Sequence, residues 1–150
     1  MLLSISIFHR LLFLGVLFLM SATVFAQNIV DPTEVDIPPY MSSCKNIDKE
    51  MQKTCSDKSL LNYLYNNMKY PEVALKNKKE GMVVLQFVVD KNGQIKDEKV
   101  ARSSGSDALD ASALALILAM KSNSSLWQPA YKEGKAVSTY LKLPVKFKLK

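Results

Sequence analysis

Apolar side chains follow first a helical and then a strand period along the chain. In residues 57–69 they recur at helical spacing, and the segment ends before Pro71, where a helix should stop. Within residues 82–90 every second side chain is apolar, and these side chains lie on one face of a strand. An Asn-Gly pair, the strongest short signal for a hairpin, follows them. A second strand must then return over residues 94–102, where a change in the apolar alternation indicates a bulge or a strong twist.

A second helix and a long final strand complete this order. Ser106 can cap a helix over residues 107–121. Residues 137–149 alternate apolar with polar positions, and Pro144 lies on the polar side of that alternation. Because proline cannot donate to a ladder, we expect this strand to lie at a sheet edge. Its lysines form either a solvated row that guards the edge against aggregation or a docking surface.

The first 26 residues have the pattern of an export signal. Arg10 precedes the apolar run of residues 11–20, and small residues up to Ala26 fit a cleavage site. The alternative is an uncleaved anchor formed by residues 11–26, which is just shorter than a spanning helix. We divide the rest into a short linker, residues 27–57, and a domain, residues 58–150.

Cys44 and Cys55 lie within that linker, with ten residues between them. In an exported chain the oxidising compartment favours a disulfide over a metal site or a catalytic thiol. Two free thiols are the alternative. The bond would fasten the linker to the first helix.

The composition argues against an enzyme. The chain has 20 Lys and Arg, 14 Asp and Glu, a net charge of +6, and one histidine, His9, which lies in the export signal. Without it, Ser103 and Ser104 have no base to activate them, and a histidine metal site cannot form. We therefore expect no catalytic residue, no metal and no cofactor. The mild basicity fits a solvated surface, so we expect no nucleic acid partner.

Several short motifs together carry a family resemblance. In chain order they read YPEVA from Tyr70, GMVVLQFVVDKNGQI from Gly81, VARSSG from Val100, WQPA from Trp127 and LPVKF from Leu143. Over residues 58–150 this order resembles the C-terminal domain of TonB, the energy transducer of Gram-negative envelopes. The paired cysteines are similar to those of a subset of these proteins in Bacteroidota.

The resemblance implies a fold and a function. The fold would be α+β, with a three-stranded antiparallel sheet and two helices packed on one face, in the order α-β-β-α-β. The protein would bind the TonB-box peptide of a TonB-dependent outer-membrane transporter as an added edge strand, and so support energy-dependent transport. It would act in the periplasm of a Gram-negative bacterium. The contact residues would be Asn67, Lys69, Tyr70, Pro71, Val137, Thr139, Leu141, Lys142 and Leu143. Tyr70 and Pro71 fit equally well as the end of the first helix.

The chain departs from the family pattern at its amino terminus. Full-length members have a membrane helix with a functional histidine, which meets an inner-membrane motor of the ExbB/ExbD type, and a long proline-rich spacer. Here residues 11–26 contain no histidine, and the spacer is about 30 residues. Coupling to the motor would require the anchored form. The alternative is a stand-alone periplasmic interaction module, which would form a strand-exchanged homodimer or hold another envelope partner.

Overall fold

The computed structural model describes residues 28–149. The predicted signal or anchor over residues 1–26 therefore lies outside the described residues. Within residues 28–149 no helix is long and apolar enough to cross a membrane. These residues form three α-helices, which are α1 (Lys49–Asn67), α2 (Glu72–Lys76) and α3 (Asp107–Lys121). They also form the strands β1 (Ile29–Val30), β2 (Tyr40–Met41), β3 (Gly81–Val89), β4 (Ile95–Arg102), β5 (Trp127–Gln128), β6 (Ala130–Lys132) and β7 (Lys135–Phe147).

The three predicted strands form most of the main sheet. Its order is β1-β7-β3-β4, and β3 pairs antiparallel with both β4 and β7. Strand β6 pairs with the start of β7, while β2 and β5 form a separate two-stranded ribbon. The α+β class is confirmed, but the expected count of three strands is wrong. The additional strands have only two or three residues, which is too short for an alternation to be visible in the sequence.

The expected count of two helices is also wrong, because α2 is a helix of its own and α1 begins at Lys49 rather than at residue 57. The first half of α1 buries the polar side chains of Gln52 and Ser56. Ser56 Oγ accepts the Met41 N–H at 2.9 Å, and Gln52 Nε2 donates to the Cys44 carbonyl at 3.3 Å. The buried face of this half is polar because it binds backbone, so it leaves no apolar period.

The hydrophobic core lies between the sheet and the helices. Val83, Leu85 and Phe87 of β3 have no exposed surface, and alternate residues of β7 are buried beside them. Helix α3 packs against these strands with the stripe that its sequence predicts. Burying one such side chain contributes about 1.5–3 kcal/mol to the free energy of unfolding, so this layer holds the sheet against α3. The buried side chains of α3 are Leu109, Ala113, Leu116, Ile117 and Met120.

The turn between β3 and β4 is built around Asp90. Its buried carboxylate accepts the N–H groups of Asn92 and Gln94 at 2.8 and 2.9 Å and lies 2.9 Å from Lys96 Nζ. Burial raises the pKa of Asp90, but these hydrogen bonds and the lysine outweigh burial and hold the pKa below its ordinary value. Gly93 completes the turn at φ +78°, and the register shifts within the ladder confirm the predicted bulge.

Two of the turn glycines, Gly93 and Gly134, differ in their surroundings, which gives a matched pair of substitutions. A Cβ on Gly93 would lie 2.2 Å from the Trp127 carbonyl oxygen, whereas a Cβ on Gly134, at φ +72°, would meet no atom within 4 Å. We expect Gly134→Ala to lower the free energy of unfolding by about 1 kcal/mol, through backbone strain alone. Gly93→Ala should cost at least about 3 kcal/mol, because the clash adds to the strain. Urea unfolding measures both, and equal costs would contradict this packing.

The segment before α1, residues 28–48, folds back onto the domain. The predicted disulfide is confirmed: Cys44 and Cys55 are bonded, and their Cα atoms lie 5.9 Å apart. Strand β2 pairs with β5, so the segment is attached to α1 by the disulfide and to the end of the core by the ribbon. Below, we call residues 28–48 the leader.

Removing the disulfide should cost stability without changing the fold. A disulfide between residues 11 positions apart reduces the conformational freedom of the unfolded chain, which raises its free energy by about 3 kcal/mol. We expect Cys44→Ala/Cys55→Ala to lower the free energy of unfolding by that amount, because Met41, Gln52 and Ser56 still hold the leader on α1. Guanidinium unfolding measures it, with the reduced wild-type protein as control. A loss below about 1 kcal/mol would contradict the account.

Candidate functional site

The outer edge of β7 is open over seven residues, Leu141–Phe147. On its inner side β7 pairs with β3 in unbroken register, from Thr139 opposite Val89 to Phe147 opposite Gly81. On its outer side β1 pairs only with Ser138 and Thr139. Beyond Thr139 no other strand in residues 28–149 pairs with this side. A strand of seven residues could therefore align here over about 24 Å.

Pro144 shows which backbone groups point outward. It lies opposite Val84 in the ladder and has no N–H, so its backbone must face the outer edge. Backbone direction alternates along a strand, so Lys142 and Lys146 share its orientation. Within residues 28–149, no strand pairs with the N–H groups of these two lysines or with the carbonyls of the three residues. Pro144 replaces the middle donor with ring carbon.

The side chains of the open edge divide between two faces. Leu143 and Val145 are buried toward the helices, and Leu141 is half-buried against the same core. Lys142 and Lys146 are exposed on the opposite face, on which no helix of residues 28–149 packs. We call this the helix-free face. An added strand would meet apolar side chains on one side and lysines on the other.

The leader ends the open edge at its N-terminal side. The Thr139 hydroxyl donates to the Val30 carbonyl at 2.7 Å, and the Tyr140 hydroxyl donates to Asp31 Oδ2 at 3.1 Å. The Thr33 hydroxyl, and then Tyr140, hold the pKa of Asp31 below its ordinary value, while the carboxylate raises the pKa of Tyr140. These bonds hold β1 in place, so an added strand cannot extend past Thr139 without displacing it.

An ion pair secures the next part of the leader. Glu34 lies 2.7 Å from Lys132 Nζ of β6 and raises the pKa of that lysine. Two residues later, the Asp36 carboxylate accepts the Glu133 N–H at 2.6 Å. The leader is therefore bound to the β6–β7 hairpin as well as to β7 itself.

Tyr70 lies near the other end of the open edge. Its ring packs edge-on against Phe147, with centroids 5.5 Å apart, and its hydroxyl donates to the Lys79 carbonyl. Burial, together with Glu80, raises the pKa of Tyr70. Pro71 is the N-cap residue of α2. Both residues have structural roles at the end of α1, and Tyr70 also borders the last residue of β7.

The predicted contact residues lie in three places. Leu141, Lys142 and Leu143 lie on the open edge. Val137 pairs with Ala130 of β6, and the buried Thr139 pairs with both Val30 and Val89. The remaining four are at the end of α1, where the Lys69 carbonyl accepts from Ser112 and the Asn67 amide donates to the Tyr63 carbonyl. These four are Asn67, Lys69, Tyr70 and Pro71.

Two residues of the open edge, Pro144 and Lys146, were not among the predicted contacts. The proline was the available signal, because its missing N–H fixes the orientation of its neighbours. The contacts from Val30 and Asp31 had no signal in the sequence, since a two-residue strand shows no period.

The described residues hold no arrangement with evident chemistry of its own. No three metal-ligating side chains come together within residues 28–149. A shallow cavity of about 360 Å³ lies beside the end of β7, between Glu80, Met82 and Lys148. The Glu80 carboxylate there accepts the Leu149 N–H at 2.6 Å. Within residues 28–149, the open edge of β7 and the outer edge of β4, which ends the sheet order, both leave backbone groups to which a strand could be added.

Amide hydrogen exchange tests the assignment of backbone directions directly. We expect the N–H groups of Leu141, Leu143 and Val145 to exchange at least about 100-fold more slowly than those of Lys142 and Lys146, because only the first set bonds to β3. Two-dimensional NMR after transfer into D₂O measures each amide. Equal protection of both sets would contradict an open edge.

Comparisons with known proteins identify the family. The family model described as Gram-negative bacterial TonB protein C-terminal matches residues 66–149, more than half of the chain. No curated protein matches. Two solution structures of Helicobacter pylori TonB C-terminal domain are similar. One is 23% identical with a TM-score of 0.49, covering 70% of this chain and 86% of its own. The other is 30% identical with a TM-score of 0.46, covering 62% and 92%. On the family match, the chain belongs to the TonB C-terminal domain family.

Proposed function

We propose that the open edge of β7 binds the TonB-box peptide of a TonB-dependent outer-membrane transporter by adding it to the sheet as a strand. Proteins of this family interact with such transporters. The observation that carries the proposal is the outer edge of Leu141–Phe147, which is unpaired in residues 28–149 of a chain that belongs to this family. In this role the protein supports energy-dependent transport across the outer membrane.

Strand addition uses the groups that the open edge leaves unpaired. Main-chain hydrogen bonds along an edge supply affinity, and alternate side chains supply selectivity. Lys142 and Lys146 offer both donor and acceptor, while Pro144 offers only its carbonyl. The ladder with the peptide is therefore interrupted once, in its middle. Pairing with β3 on the other side means that the edge is formed before the peptide arrives, which lowers the entropy cost of binding.

The end of α1 supplies the other part of the proposed contact. Asn67 and Lys69 are exposed beside Tyr70, whose ring packs on the final residue of β7. A peptide on the outer edge presents alternate side chains to the helix side, toward Leu141 and this segment. We assign the apolar part of the recognition to these peptide side chains, which would face Leu141 and Tyr70.

Pairing of the same edge with a second copy is the other candidate function. In an antiparallel register centred on Pro144, two prolines would face each other, so both donors at that point would be lost. Each Lys142 would also lie opposite a Lys146, and like charges directly opposite destabilise a strand pair. A peptide partner avoids both penalties, so we favour the transporter over the homodimer.

We place the protein in the periplasm. The signal pattern of residues 1–26 and the Cys44–Cys55 disulfide both support export to an oxidising compartment. In the cleaved form the protein acts as a periplasmic module without its own motor. In the form anchored by residues 11–26 it meets the ExbB/ExbD-type motor and transmits energy.

Substitution of a single outward N–H tests strand addition. Lys142→Pro removes one of the two outward donors and places a ring beside Pro144, leaving Lys146 as the only donor on the edge. We expect it to weaken binding of a synthetic TonB-box peptide at least about tenfold. Isothermal titration calorimetry measures the affinity.

Lys142→Ala is the matched control, because it removes the side chain and keeps the N–H. We expect it to bind within about fivefold of wild type, since a cross-strand pair contributes at most about 1 kcal/mol. Circular dichroism shows that both variants fold. Leu141→Pro is less informative, because its N–H faces β3 and its loss would damage the sheet. Equal binding by wild type and Lys142→Pro would contradict strand addition at β7.

A further inference from the structure

Lys142 and Lys146 place two positive charges beside the open edge. Both side chains are exposed, and neither forms an ion pair within residues 28–149. Lys142 Nζ lies 5.9 Å from the centre of the Tyr140 ring, a contact that leaves the charge accessible. Two unpaired cations therefore border the backbone groups that an added strand would use.

The rest of the helix-free face adds mostly positive charge. One carboxylate, that of Asp31, bonds to the Tyr140 hydroxyl and lies near enough to Lys142 for that lysine to help lower the pKa of Asp31. Lys142 lies in register with Gln86 of β3, which lies in register with Lys99 of β4. Lys146 lies opposite Met82, whose sulfur is 3.6 Å from Arg102 Nη2. In the turn after β3 the buried Asp90 pairs with Lys96 at 2.9 Å. Asp90 is therefore already neutralised and does not compete for Lys142 or Lys146.

The geometry of an added strand determines which of its side chains meet these lysines. Residues directly opposite each other share a face, with Cβ atoms about 4.5–5.5 Å apart. This holds for antiparallel and parallel addition alike. Lys142 and Lys146 are four residues apart, so their partners on the added strand are also four apart. The two positions just inside those partners point to the helix side, beside the buried Leu143 and Val145.

We propose that the strand accepted by β7 carries acidic side chains at two positions four residues apart, opposite Lys142 and Lys146, with apolar side chains between them on the helix side. The proposal rests on strand addition at β7 and specifies the chemistry of its partner. Charge complementarity on the helix-free face then fixes the register of the peptide, because a slip of one residue would turn both carboxylates toward the apolar core.

Two seven-residue peptides with blocked ends test the proposal against the full mature chain. One has Glu at its second and sixth positions and Val at its third and fifth, and the other has Gln in place of both Glu residues. We expect the Glu peptide to bind about 2- to 30-fold more tightly than the Gln peptide at low salt, the product of two cross-strand charge pairs. The preference should shrink at high salt, because these charges are exposed.

Two double variants locate the effect. Lys142→Gln/Lys146→Gln should abolish the preference for Glu, whereas Lys49→Gln/Lys91→Gln, with the same loss of net charge elsewhere, should keep it. If both peptides bind wild type equally, strand addition stands and the acidic pattern is overturned. If the preference persists in Lys142→Gln/Lys146→Gln, the acidic side chains bind elsewhere and the pattern is also overturned. If neither peptide binds, strand addition itself is overturned together with the pattern.

Discussion

The ladder between β3 and β7 determines what the rest of the molecule can do. Nine residue pairs join the two strands without a break, and β3 has β4 on its other side. Because Val83, Leu85 and Phe87 are fully buried beneath β3, the register of this ladder cannot slip without exposing them. From Leu141 to Phe147, strand β7 is thus fixed along one side only, within the part of the chain that the structure describes. Its other side is a rigid row of backbone groups. The backbone N–H and carbonyl groups of Lys142 and Lys146 point outward, because Pro144 between them has no N–H to donate to β3 and backbone direction alternates along a strand.

The leader and the disulfide give that open edge a defined length. The bond between Cys44 and Cys55 holds the leader on α1, and Val30 and Asp31 then reach the start of the edge. Tyr70 packs on Phe147 near the other end. The edge is therefore bounded at both ends by contacts that belong to the fold. An added strand would meet one frame of seven residues, in which lysines lie on one face and apolar side chains on the other.

The sequence predicts the long elements well and the short ones poorly. The stripe of α3 and the alternation of β7 are visible because each runs for 13 residues or more against one core. Pro144 alone predicts an edge strand. In contrast, the first half of α1 buries Gln52 and Ser56, so no apolar period marks it. The pairings of β1 and β2 depend on residues far away in the chain, such as Thr139 for Val30, and local pattern cannot reveal them.

In the function that we propose, a transporter peptide becomes the next strand beyond β7. The most direct measurement is the solution NMR structure of the isotope-labelled protein with a TonB-box peptide bound. We expect cross-strand nuclear Overhauser effects between the peptide and the backbone of Lys142 and Lys146. We also expect slower amide exchange at both residues once the peptide is present. Peptide contacts confined to β4 or to the exposed side of α1, with the amides of Lys142 and Lys146 exchanging as in the free protein, would contradict it.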